Sequence, residues 1–388
     1  MTDPFALPDA VARLRLHLDA LSRRFVGRHA LLELVVLGLV AREHLLLIGP
    51  PGTGKSAAVQ AIARSVDARS FEYLIGRFTE PSELFGALDL QALRDGEVRP
   101  VTRGMLPEAQ IAFLDEIFLG STAILNSLLK ILNERTYRRG QFETAVPLIS
   151  CVAASNALPD DPALAAFADR FLLTGFVDPV GEGELVELLR VGWRETATAA
   201  EPVAPLSVTM LESLHHAALA IDLSPVWEAF AHLVRKVRLV GVALSDRKLV
   251  KAQKLIAAAA VLRGVEAAGP EDLWPLTFLV QSRPQQEEVR ELLAAELRDS
   301  SNPVLPRSVA AAPHGPTAHA AALAENAAAL LAAGPAAADD PAREIWLVRL
   351  ETILTRIDAA FAPGKAPSAL QTLRATIEAT LNGEAQPA

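Results

Sequence analysis

Apolar residues in this chain fall into two kinds of stretch. Short unbroken runs such as Leu45-Leu46-Leu47-Ile48, Ile111-Ala112-Phe113-Leu114 and Leu148-Ile149-Ser150-Cys151-Val152-Ala153-Ala154 have the length of buried strands. The pattern predicts strands at 44 to 48, 71 to 75, 111 to 114, 148 to 154 and 171 to 176. Helical periodicity fills most of the intervals, which predicts an α/β core with a largely parallel sheet. Residues 96 to 104 and 135 to 146 interrupt that periodicity with Gly, β-branched and Arg residues. Both read as hairpin insertions.

The pattern changes along the chain. Residues 1 to 200 form the predicted α/β core, and residues 201 to 300 read as a smaller helical lid, including an Ala-rich helix after Arg247. Gly269-Pro270 breaks one helix before Glu271-Asp272-Leu273 caps or begins another, and the apolar segment 276 to 280 fits either a strand or a helix. Residues 301 to 340 are rich in Ala and Pro and read as a linker around one short helix. In 341 to 388, Trp346, Leu350, Ile353, Ile357 and Phe361 recur at helical spacing, and Leu370, Leu373, Ile377 and Leu381 make a second stripe. This predicts a C-terminal helical hairpin whose apolar faces pack on the chain itself more readily than on a partner.

Composition narrows the function classes. A length of 388 residues with 51% hydrophobic content suffices for a large core in two or three domains. A formal charge of -9 offers no general attraction for nucleic-acid phosphates, although a local cationic pore remains compatible with it. The single Cys151 lies in an apolar strand, so it reads as a core thiol and excludes an intramolecular disulfide. The sequence has no cysteine-based zinc spacing and no signal-peptide pattern, and its apolar run at 31 to 40 is too short for a bilayer. A cytoplasmic protein without stable membrane insertion is expected.

Three strand ends carry the candidate chemistry. Gly49-Pro50-Pro51-Gly52-Thr53-Gly54-Lys55-Ser56 follows the first apolar run as a Walker A phosphate loop. Its glycines let successive N–H groups face phosphates, Lys55 should reach the β- and γ-phosphates, and Ser56 should put its hydroxyl on Mg²⁺. Pro51, Gly52, Thr53 and Gly54 complete the cradle. The strand at 111 to 114 ends in Asp115-Glu116, a Walker B pair. Asp115 suits the hydration shell of Mg²⁺, and Glu116 suits activation of the attacking water. The strand at 148 to 154 delivers Asn156, which can orient water or contact the γ-phosphate if that strand lies between the other two.

Those motifs, together with Phe78-Thr79-Glu80-Pro81-Ser82-Glu83-Leu84-Phe85-Gly86, Gly104-Met105-Leu106-Pro107-Glu108-Ala109-Gln110, Ile124-Leu125-Asn126-Ser127-Leu128-Leu129-Lys130-Ile131-Leu132-Asn133-Glu134-Arg135 and Ala153-Ala154-Ser155-Asn156-Ala157-Leu158-Pro159, resemble the MoxR family of AAA+ ATPases, and most closely its RavA-like branch. The similarity covers roughly residues 10 to 300. It implies insertion of the Asn156 strand between the two motif strands. Arg170 in Ala168-Asp169-Arg170-Phe171 would be an intersubunit arginine, and Arg247 in Ser245-Asp246-Arg247-Lys248 a lid sensor, with Lys248 as the reserve choice. Val26 and Gly27 would pack beside adenine, and Arg138 and Arg139 would face the centre or top of a ring.

The resemblance further implies an ATP- and Mg²⁺-dependent homo-hexamer that remodels a protein, with a von Willebrand factor A-type partner. The Ala/Pro block lacks the alternating strands of the extra β-rich domain found in RavA-like proteins, so an amino-acid decarboxylase partner does not carry over. A nucleic-acid-dependent motor and a nucleotide-gated scaffold with little turnover are the alternatives.

Overall fold

The apolar runs form a five-stranded sheet whose central strands are covered on both faces. In chain order the strands are β1 (Leu45–Ile48), β2 (Val66–Asp67), β3 (Ser70–Leu74), β4 (Ile111–Asp115), β5 (Thr136–Arg139), β6 (Phe142–Ala145), β7 (Ser150–Ser155), β8 (Leu173–Phe176) and β9 (Leu206–Ser207). The main sheet has the order β3-β4-β7-β1-β8, and every pairing in it is parallel. The computed structural model describes residues 7–197, 205–312, 342–360 and 368–381, with isolated positions between 324 and 334.

Side-chain alternation divides the core into two clusters. Leu45, Leu47, Ile111, Phe113, Val152 and Ala154 belong to one, whereas Leu46, Ile48, Ala112, Leu114, Cys151 and Ala153 belong to the other. Period-two alternation puts these sets on opposite faces of the sheet. Each fully buried leucine contributes roughly 1.5–3 kcal/mol. The amphipathic Thr122–Glu134 helix buries Ile124, Leu125, Leu128, Ile131 and Leu132 in the second cluster.

The His29–Ala41 helix is apolar on all sides and is buried from Leu31 to Ala41. It contacts β1, β7 and β8, and also the helices Val208–Ala220 and Asp246–Arg263. Glu33 is the carboxylate in this helix. Its oxygens accept from the backbone N–H of Arg307 at 3.1 Å and of Ser308 at 2.6 Å, at the start of the Pro306–Ala311 helix. Burial nevertheless pushes the Glu33 carboxyl up to about 7, against the lowering effect of those hydrogen bonds.

Packed structure continues beyond residue 300. Val304, Leu305, Val309 and Ala312 join the main core, and Asn302 donates to Ala259 O while accepting from Val304 N and Leu305 N. The start of the Ala/Pro block is therefore part of the folded body rather than a linker. Residues 276 to 280 resolve largely as the end of a 3₁₀ helix, Trp274–Leu279.

The insertion at 135 to 146 is an antiparallel hairpin of β5 and β6, turning at Gly140 with φ 62°. Residues 96 to 104 are not a hairpin. Asp89 caps the short Leu90–Arg94 helix by accepting from Gln91 N and Ala92 N, and the two ends of this excursion meet through Asp89 N to Arg99 O and Val101 N to Ala87 O, both 2.8 Å. Gly86 permits that closure, because a Cβ there would lie 2.0 Å from Val101 O.

The helices Ala342–Ala360 and Ser368–Leu381 pack against each other. Trp346, Leu350, Ile353, Ile357, Leu370 and Ile377 form a separate cluster with Ala327. The predicted stripes thus face one another, and Phe361 lies outside the described residues. Among the described residues, no helix is long and apolar enough to cross a membrane.

Candidate active site

Parallel pairing brings the three motif-bearing strand ends together. Ile48 is in register with Ser155, and Leu114 with Ala153, so Gly49, Asp115-Glu116 and Asn156 emerge at one edge of the sheet. The Asn156 strand lies between the other two. This carboxyl edge is where open α/β sheets place ligands.

The loop after β1 has the backbone of a phosphate cradle. Gly52 and Gly54 both adopt φ 77°, a left-handed conformation that glycine takes without the Cβ penalty. Gly49 is required for packing, since a Cβ would lie 2.1 Å from Val177 O. The Lys55–Ser65 helix begins directly at the lysine, with Gly54 as its N-cap, and aims its unpaired N–H groups and positive dipole end at the loop. Lys55 Nζ donates to the carbonyl oxygens of Gly49 and Pro50, the latter at 2.8 Å. Burial lowers the Lys55 pKa, and Asp115 and Glu116 counter part of that effect.

Ser56 Oγ donates to Asp115 Oδ2 at 2.7 Å. This joins the two residues expected to share a divalent cation, one a hydroxyl oxygen and one a carboxylate, the hard donors that suit Mg²⁺. Asp115 Oδ1 also accepts from Glu116 N at 3.0 Å. Glu116 has φ 52° and ψ 44°, a left-handed geometry uncommon for a residue with a side chain. The strained position turns its carboxylate toward β7, where Oε1 accepts from Asn156 Nδ2.

Arg28 is a site-supporting residue that the sequence motifs did not single out. Its guanidinium donates to Thr53 O at 2.6 Å, Gly27 O at 2.8 Å and Asp178 O at 2.7 Å. One planar fork therefore ties the phosphate loop to the Val26-Gly27 segment and to the chain leaving β8. Burial lowers its pKa, offset by Asp178 and Glu184. Val26 is buried, and Gly27 turns at φ 69° with Glu184 Oε2 3.1 Å from where its Cβ would stand. The only local signal for Arg28 was adjacency to Gly27.

Arg170, Arg247 and Lys248 lie close together where the end of the Pro162–Ala168 helix meets the start of the Asp246–Arg263 helix. Arg170 follows the Pro162–Ala168 helix and its C-cap Asp169. Its nearest carboxylate is Asp169 Oδ2 at 4.0 Å, and its pKa is lowered by burial and then by Arg247. Arg247 is exposed, whereas Lys248 is 5% exposed and its Nζ sits 2.8 Å from Asp169 Oδ1. Lys248 is thus engaged internally, leaving Arg247 as the outward cation of the two. In the hairpin, Arg139 is tied to Gly86 O at 2.9 Å, while Arg138 is exposed and reaches Gly140 O.

Sheet order, phosphate loop and paired acids define a P-loop NTPase fold of the AAA+ type with helical extensions. Residues 12–216 match the family model described as the MoxR domain in MoxR-vWA-beta-propeller ternary systems, and the chain belongs to the MoxR family. It is 35% identical over 270 residues to uncharacterized protein MJ0812 of Methanocaldococcus jannaschii, covering 69% of this chain and 71% of that protein. It is 28% identical over 175 residues to chaperone MoxR1 of Mycobacterium tuberculosis, covering 42% of this chain and 45% of that protein. The fold is shared with the crystal structure of a provisionally assigned ATPase from Cytophaga hutchinsonii, at TM-score 0.61 and 17% identity over 76% of this chain and 96% of that one.

Proposed function

We propose that this chain is the motor subunit of a protein-remodelling assembly, hydrolysing ATP with Mg²⁺ and using the loss of the γ-phosphate to shift its lid and its neighbours. The observation that carries the reading is the convergence of Ser56, Asp115, Glu116 and Asn156 at one sheet edge, with Ser56 Oγ on Asp115 Oδ2 at 2.7 Å and Asn156 Nδ2 on Glu116 Oε1. Mg²⁺ bound with the nucleotide would neutralise phosphate charge and fix the γ-phosphate for in-line attack. Ser56 and Asp115 are the residues that would hold it.

The chain's own groups then divide the work. Loop N–H groups and Lys55 bind the phosphates, and Val26 and Gly27 flank the base. Glu116 accepts the proton of the attacking water, while Asn156, hydrogen-bonded to that carboxylate, fixes its direction. Arg170 reaches the nucleotide of the next subunit in a homo-hexamer, where its permanently charged fork stabilises phosphoryl charge. Arg247 supplies a second cation from the lid.

The partner we favour carries a von Willebrand factor A-type domain, in keeping with the ternary systems named by the matching family model. A β-propeller protein would be the third member. Motif resemblance is what supports the finer RavA-like placement. Acidic balance disfavours a nucleic-acid motor, with 37 Lys and Arg against 46 Asp and Glu. The test is affinity capture with Glu116→Gln in the presence of ATP, using the native cytoplasm as the source. Reproducible ATP-dependent recovery of a von Willebrand factor A-type protein supports the reading; turnover stimulated by single- or double-stranded nucleic acid, and lost in Arg138→Ala, overturns it.

A further inference from the structure

A buried ammonium is paired with Asp169, the residue just before Arg170. Lys248 is in the first turn of the Asp246–Arg263 lid helix, and its Nζ is 2.8 Å from Asp169 Oδ1 and 3.4 Å from Leu279 O. Removing an ammonium from water is costly unless a carboxylate and hydrogen bonds compensate it. The Asp169 partner is the C-cap of the Pro162–Ala168 helix and immediately precedes Arg170. A second lid-side group holds the same helix end, because Gln281 Nε2 donates to Ala168 O.

Arg170 has little else to aim it. Its link to Asp169 is long at 4.0 Å, and its Nε is buried without a hydrogen-bond partner. Apolar packing does not fill the junction either. A cavity of about 290 Å³ lies beside the pair, lined by Leu158, Asp169, Leu244, Lys248, Leu279 and Gln285 among others. Close packing would fix these elements by shape alone; with a cavity there, directional polar contacts carry more of that task. The same lid turn carries Arg247, which is near enough to Arg170 to depress its pKa.

We propose that Lys248, through its ion pair with Asp169 and assisted by Gln281, is a positioning residue that aims Arg170 and Arg247 outward as a pair, so that the lid of one subunit controls hydrolysis in the next. The proposal rests on the reading that Arg170 acts on a neighbour's nucleotide. A lid displacement moves Lys248, Lys248 moves the Asp169 C-cap, and Arg170 follows by one peptide. The ATP-bound state of one chain is thereby felt at the adjacent site without a change in that site's own phosphate loop.

The experiment compares Lys248→Met, Lys248→Arg, Asp169→Asn and Arg170→Ala in the full chain, measuring steady-state ATP turnover and oligomer mass. Lys248→Met should lower kcat by roughly tenfold or more while leaving KM for ATP within about twofold, the signature of an interaction used in the transition state. Lys248→Arg should recover most of that loss. Asp169→Asn should repeat it from the other side of the pair. Lys248→Met leaves only Asp169, a side chain 37% exposed, without its partner, whereas Asp169→Asn leaves the buried Lys248 ammonium facing a neutral amide. Agreement in kcat between the two, with oligomer mass unchanged, assigns the loss to the ion pair. Mixing Lys248→Met chains with Lys55→Ala chains should restore turnover, since some interfaces then join an intact phosphate loop to an intact clamp.

Wild-type turnover in Arg170→Ala overturns the underlying reading and the clamp with it. Loss in Arg170→Ala with wild-type kcat in both Lys248→Met and Asp169→Asn overturns the clamp alone. A raised KM in Lys248→Met with no recovery in the mixture also overturns it, because Lys248 would then serve its own chain's site.

Discussion

Glu33 offers a physical test of how the Pro306–Ala311 helix is fastened to the core. Its carboxyl rises from 4.5 to about 7 on folding because burial outweighs its hydrogen bonds to Ser308 and Arg307. At about 1.36 kcal/mol per unit, that shift corresponds to roughly 3 kcal/mol as an upper figure. An acid held above its unfolded value binds its proton more tightly in the native state. The associated stability is present below about pH 4.5 and is lost as pH rises through about 7.

Other groups titrate in the same window with the opposite sign. His44 is buried with its pKa pushed well below 6.5, and His215 is also lowered by burial. Their contributions are present above 6.5 and decline as pH falls, so the wild-type profile is a sum of opposing slopes. Comparison with Glu33→Gln isolates the carboxyl. Denaturant unfolding followed by circular dichroism at pH 5, 6, 7 and 8 should show the variant gaining on wild type by up to roughly 3 kcal/mol across the range. A difference that is flat with pH, or that shrinks as pH rises, would refute a buried and protonatable Glu33.

Two further outcomes follow from the geometry. Arg28→Lys cannot reproduce one fork spanning Thr53 O, Gly27 O and Asp178 O, and loss of one or two such bonds at about 1–2 kcal/mol should weaken equilibrium ADP binding several-fold; an unchanged affinity would remove Arg28 from the site. Deleting residues 341 to 388 removes most of an apolar cluster separate from the main core, so nucleotide affinity should persist while oligomer mass or partner engagement declines. Loss of ADP binding by a folded truncation would contradict that separation.

Much of the candidate site's geometry was legible in the sequence because short motifs encode it locally. Gly52, Gly54 and Lys55 announce their backbone task by residue type and spacing, and apolar runs located the strands within a residue or two. The position of the Asn156 strand came from family resemblance, since periodicity carries no strand order. Consecutive residues Arg247 and Lys248 could not be separated in sequence: both are cations at a helix start, and only packing makes one exposed and the other buried. The excursion at 90 to 101 was hidden because Gly96 and Val98 looked like hairpin residues, while the deciding features were the Asp89 cap and close approach at Gly86. Composition likewise concealed the packed segment 302 to 312, whose anchors are long-range polar contacts: Asn302 bonded to Ala259, and Glu33 accepting from Arg307 and Ser308.

The most direct measurement pairs equilibrium ATP binding with phosphate release in Lys55→Ala and Glu116→Gln. On the proposed reading Lys55 contacts phosphates already in the ground state, so its removal should weaken binding, whereas Glu116 acts on the attacking water, so Gln should retain ATP and suppress Mg²⁺-dependent release by roughly 100-fold or more. Tight ATP binding with almost no phosphate release from Glu116→Gln is the result the account predicts; wild-type turnover in that variant would contradict it.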